Sequence, residues 1–117
     1  HADRNNTPRN VLACRDSVNR GPLMISREDL VKLNFLDESS YVKNEMDDHD
    51  LMYYARVKLG KVCGFFDIGW EAANGSTRDE NGNTKRWVLE CNQKNVKTFY
   101  NRWKNNFEMK IENRIIL

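Results

Sequence analysis

Trp87-Val88-Leu89-Glu90-Cys91-Asn92-Gln93-Lys94-Asn95-Val96-Lys97-Thr98-Phe99-Tyr100-Asn101-Arg102-Trp103-Lys104-Asn105-Asn106-Phe107 is the stretch on which the reading of this chain turns. Trp87 to Cys91 reads as a short half-buried strand. From there Val96, Phe99, Tyr100, Trp103 and Phe107 recur at i, i+3, i+4, i+7 and i+11, the spacing of one helical face. Such a face needs a core to pack on. The expected core is therefore Trp87, Leu89, Val96, Phe99, Tyr100 and Trp103. Upstream, residues 74–86 form a polar loop, and Asn81-Gly82 marks a turn before the strand.

Working outward, Leu51 to Leu59 and Lys61 to Ala73 are rich in aromatic and β-branched residues and are separated by Gly60, the pattern of a hairpin. Gly64 and Gly69 inside the second run signal a bulge or a close backbone approach. Between residues 37 and 50 the chain is acidic and polar, and it is expected to be a loop. Before it, Ser26-Arg27-Glu28-Asp29 places a capping serine three residues ahead of an acid, so a short helix runs from there to about Leu36. Residues 1–24 contain both prolines and no sustained period, and read as an irregular arm with a short strand at Asn10 to Cys14. At the other end, the alternation from Met109 to Leu117 adds an edge strand. The sum is one α+β domain over residues 1–117. An antiparallel sheet of three to five strands packs against one main C-terminal helix, with a short N-terminal helix.

A chain of 117 residues is sized for a single core. With 39% hydrophobic and 31% charged residues and a mean hydropathy of −0.80, the surface is well solvated. No apolar run reaches the roughly 18–20 residues of a membrane span, so no membrane partner is expected. The first residue is His1, which fits either a mature product after signal removal or a piece of something longer. Cys14, Cys63 and Cys91 form no Cys-x-x-Cys motif. They allow either one bridge, with Cys14 or Cys63 joined to Cys91, or three buried thiols. The sequons Asn5-Asn6-Thr7 and Asn74-Gly75-Ser76 incline the reading toward the secretory pathway.

Charge is unevenly spread. Residues 1–27 carry a net +3, residues 28–50 a net −6 and residues 51–117 a net +5, for the overall +2. An acidic middle between basic flanks makes a dipolar surface able to steer a charged partner.

Catalytic chemistry finds little footing. Glu45, Asp47, Asp48, His49 and Asp50 are rich in oxygen ligands but lack the central glycine and distal glutamate of a calcium loop. No metal site or cofactor is assigned. General acid–base work needs a group titrating near neutrality, and His49 is the only internal histidine. A small ribonuclease-like centre pairing His49 with Glu71 or Glu90 is a minority reading. No glycine-rich phosphate loop or nucleophile turn occurs, and no small-molecule substrate is evident. The residues favour a binding protein over an enzyme.

Two binding readings remain. The first is a protein-recognition domain, in the manner of a secreted or pathogen-derived effector, with the aromatics Tyr54 and Trp70 as anchors. In the second, nucleic acid is held through phosphate contacts by Lys85, Arg86, Lys94, Lys97, Arg102 and Lys104. The predicted order of helix, three strands and helix over residues 26–107 resembles that of double-stranded RNA-binding domains, which implies such a contact. The match is one of order, because Gln93-Lys94-Asn95-Val96-Lys97 stands where those domains carry Lys-Lys-x-Ala-Lys. Small secreted effectors on a ribonuclease-like scaffold carry an aromatic two positions before an early cysteine, and Leu12-Ala13-Cys14 lacks it.

Overall fold

The computed structural model describes residues 7–18, 22–69, 77–107 and 114–117. Strand β1 (Val11–Cys14) is followed by helix α1 (Arg27–Lys32), a 3-10 turn (Val42–Asn44), helix α2 (Asp47–Leu59) and strand β2 (Gly64–Phe66). Helix α3 (Arg86–Trp103), a second 3-10 turn (Lys104–Asn106) and strand β3 (Arg114–Ile116) complete the order. The fold is α+β, with a three-stranded antiparallel sheet in the order β2-β1-β3. Among the described residues no helix is long and apolar enough to cross a membrane.

β1 is the shared strand, and its backbone alternates between its neighbours. Arg15 N–H donates to the Cys63 carbonyl at 2.9 Å and Leu117 N–H to the Asn10 carbonyl at 2.8 Å. Antiparallel pairs alternate between bonded and non-bonded positions. With Ala13 opposite Phe65 and Leu12 opposite Ile115, Ala13 therefore bonds β2 and Leu12 bonds β3. It follows that Gly64 and Phe66 turn their N–H and C=O groups away from β1. Gly64 lies so close to β1 that an added Cβ would strike the Ala13 carbonyl, which is why that position carries no side chain.

α1 begins where the capping pattern places it, with Ser26 Oγ accepting from Asp29 N–H at 3.1 Å. It ends at Lys32, short of Leu36, because Asn34 and Phe35 both take left-handed backbone angles (φ 58 and 64). The hairpin expected over 51–73 is corrected. Leu51 to Leu59 belongs to α2, and only Gly64–Phe66 of the second run is strand among its described residues, with Trp70 to Ala73 lying outside them. Helix α2 buries Leu51, Met52, Tyr53, Ala55 and Arg56 in near-continuous order, so it shows no apolar stripe. The acidic run is its first turn, where Asp47, Asp48 and Asp50 complement the helix dipole. Gly60 is its stop and not a hairpin turn. At φ 64 it donates to the Arg56 carbonyl at 3.1 Å, while Lys61 N–H reaches the Ala55 carbonyl at 3.1 Å.

The strand expected over Trp87–Cys91 is likewise the first part of α3. Its buried face is Val88, Cys91, Asn95 and Trp103, whereas Leu89, Val96 and Tyr100 face outward. The packed face thus keeps Trp103, and Phe99 in part, from the aromatic stripe but leaves Val96 and Tyr100 outside. The buried amide of Asn95 explains the rotation. Its Oδ1 accepts from Val42 N–H at 2.9 Å, and its Nδ2 donates to the carbonyls of Val42 at 2.9 Å and Glu45 at 3.0 Å. These bonds tie the middle of α3 to the loop entering α2. Among the described residues the elements run strand, helix, helix, strand, helix, strand, and not in the order that resembled RNA-binding domains.

The two long helices meet through rings. Tyr53 lies edge-on to Phe99 (5.0 Å) and 5.5 Å from Trp103, while Tyr54 lies edge-on to Trp103 at 4.6 Å. Toward β1, α2 holds the following segment through Tyr53 Oη on Asp16 (3.0 Å) and Arg56 on the Asp16 carbonyl (3.2 Å). Burial and the Asp16 carboxylate push the Tyr53 phenol up to about 12.

Candidate functional site

Leu23 and Ile25 fold back from the irregular arm over α2, across from β2. Together with Leu12, Leu51, Met52 and Phe65 they line an apolar groove of about 420 Å³. That volume is in the range of ligand-binding clefts. β2 contributes all three of its residues to the wall. The N–H and C=O groups of Gly64 and Phe66 point to the side of β2 away from β1, and among the described residues no strand pairs with them. Met24, Val62 and Ile68 stand exposed at the rim. One charged pair, Lys61 Nζ to Asp29 at 3.6 Å, marks the mouth.

Chemistry inside the groove is muted. Burial pushes the Cys63 thiol above its ordinary value, and its Sγ donates to the Met52 carbonyl at 3.6 Å. A thiol held in that form is a weak nucleophile. All three cysteines are free.

The remaining candidate residues fall in separate places. His49 Nδ1 sits 2.6 Å from Ser17 Oγ, with its ring edge-on to Phe99. Glu90 lies exposed on α3 and accepts from Arg86 Nε at 3.0 Å. Glu71 is outside the described residues. Among the described residues no group of three or more His, Cys, Asp or Glu side chains is placed to hold a metal ion. Asp50 is committed internally. It accepts from Tyr41 Oη at 2.8 Å, Trp103 Nε1 at 2.7 Å and Arg102 at 3.1 Å.

Of the six basic residues assigned to phosphate contact, Lys94, Lys97 and Lys104 share one exposed side of α3 and its extension. Arg86 is engaged by Glu90. Lys85 precedes the helix, half-buried, with its N–H on the Thr77 carbonyl at 2.9 Å. Arg102 turns inward. It binds Asp37 at 3.0 Å, Asp50, and Ser40 Oγ at 3.1 Å, with its cation 5.7 Å from the ring centres of both Tyr41 and Tyr54. The Asp37 carboxyl is partly buried, which opposes its charge. Hydrogen bonds from Ser40, Ser39 and Arg102 nonetheless hold it well below the usual carboxylate range. Burial and the bond to Asp50 push the Tyr41 phenol far up.

Tyr54, assigned as an anchor, is half-buried between Trp103 and Arg102, and Trp70 lies outside the described residues. The groove residues went unassigned from sequence. A visible signal is the apolar triplet Leu23-Met24-Ile25, directly before the α1 cap.

No protein-family model, curated protein or solved structure matches this chain.

Proposed function

We propose that this domain is a non-enzymatic protein-recognition module that takes an extended apolar segment of a partner protein into the groove beside β2. One observation carries the reading: an apolar cleft of about 420 Å³ walled by a strand whose outer edge is unpaired among the described residues. A peptide laid along such an edge gains main-chain hydrogen bonds from Gly64 and Phe66, and alternate side chains gain apolar pockets. The Asp29–Lys61 pair at the mouth offers one polar contact of each sign.

Selection of random displayed peptides on the full chain tests this. Recovered segments are expected to carry apolar residues at alternate positions, and Val62→Glu with Ile68→Glu is expected to abolish their capture. Both positions are exposed, so the double variant should melt within about 0.5 kcal/mol of the parent. Recovery of no segments, or capture indifferent to that variant, overturns the reading.

A further inference from the structure

Helix α3 carries a second surface, away from the groove. Leu89 (52% exposed), Val96 (49%) and Tyr100 (54%) follow one another along α3 at intervals of seven and four residues, and Phe107 (38%) stands beyond the 3-10 turn that ends it. With Gln93 they make an alternation of four, three and four from 89 to 100, the spacing of a coiled-coil seam, and Trp103, next in register, is buried against α2. Tyr100 and Phe107 touch, with ring centres 5.5 Å apart. The row is roughly 16 Å long at the rise of a helix. Single exposed apolar residues are ordinary, but a contiguous row at this spacing has the register of a partner helix.

The flank beside this seam specifies the partner. In a coiled coil the positions bordering the seam choose the partner by charge, and on the solvent side these are Glu90, Lys97 and Lys104, with Lys94 one step further out. Glu90 is already bonded to Arg86. Among the described residues no carboxylate pairs with Lys94, Lys97 or Lys104. The flank therefore presents the positive charge of three exposed lysines. A second copy docked through the same face would set its own lysines against these.

We infer that the outer face of α3 docks an amphipathic helix of a partner protein whose apolar stripe is bordered by glutamate or aspartate. The apolar residues supply the contact area, and the lysines supply selectivity and speed of encounter.

The test uses the full chain and two synthetic helical peptides of about 21 residues, three heptads with leucine along the seam. One is flanked by glutamate and the other by lysine. Fluorescence anisotropy is expected to show the glutamate-flanked peptide binding at least about tenfold more tightly than the lysine-flanked one. Lys97→Glu with Lys104→Glu should invert that order. Val96→Ser with Tyr100→Ser should abolish binding while melting like the parent. Val62→Glu in the groove should leave it unchanged, which separates failure of this surface from failure of the groove. Equal affinity for the two peptides overturns the inference, as does no binding of either, or binding that survives Val96→Ser with Tyr100→Ser. Tighter binding of duplex RNA, lost with the lysines but kept without Val96 and Tyr100, reassigns the face to phosphates. A dimer in sedimentation that Val96→Ser with Tyr100→Ser dissolves reassigns it to a second copy.

Discussion

Asp50 is 1% exposed and accepts hydrogen bonds from three side chains of different kinds, a phenol, an indole and a guanidinium. Removing it would leave Arg102 half-buried with fewer partners and strand two buried donors. Asp50→Ala is therefore expected to cost about 3–5 kcal/mol, measured by urea unfolding; a loss under about 1 kcal/mol would show that water replaces the carboxylate. Asp37, on the other side of Arg102, gives the network a pH dependence. Its folded pKa lies below the unfolded value near 3.9, so its stabilisation is present in full above that value and is lost as pH falls through the folded one. Asp37→Asn should cost on the order of 2 kcal/mol at pH 7 and progressively less below about pH 4. Melts from pH 2 to 7 check the sign, since an equal loss at both ends would mean that the carboxylate's charge contributes nothing. Little of this network was legible in the sequence. Asp37, Tyr41 and Asp50 stand in a polar stretch and Arg102 lies about fifty residues further on, and only the fold tells a charge that turns inward from one that stays wet.

At the scale of elements, legibility tracked how one-sided each element is. α1 was readable because Ser26 caps it locally, and β1 because Val11 to Cys14 is short and apolar. α2 was not, since a helix buried around most of its girth imitates a strand when aromatic and β-branched residues fall in succession. α3 was half-readable. Its aromatic stripe predicted a helix and the burial of Trp103 correctly but misplaced Leu89, Val96 and Tyr100, because the residue that orients the helix, Asn95, is polar and invisible to a hydrophobic period. The groove was unreadable because its walls come from four separate segments. Gly64 is where one element constrains another most tightly. Gly64→Ala would press a methyl group into the Ala13 carbonyl and force β2 from β1. The expected loss is about 1–3 kcal/mol, with faster hydrogen exchange in Ala13 and Phe65. Unchanged exchange there would show that the strands accommodate a side chain.

For the whole molecule, the three free cysteines make a plain expectation: denatured without reductant, the chain should react with three equivalents of thiol reagent, and fewer would reveal a bridge that forms elsewhere. The placement of β1 between its two neighbours has a further result, one of time. Every strand pair joins distant parts of the chain: β1 meets β2 about fifty residues on and β3 about a hundred residues on, and such non-local closures are slow. The α2 and α3 helices are local and need only each other's rings. Refolding should then proceed in two steps, helical signal first and sheet protection later. Stopped-flow circular dichroism with pulsed hydrogen exchange would show the order. A single phase common to both probes would mean that the helices wait for the sheet.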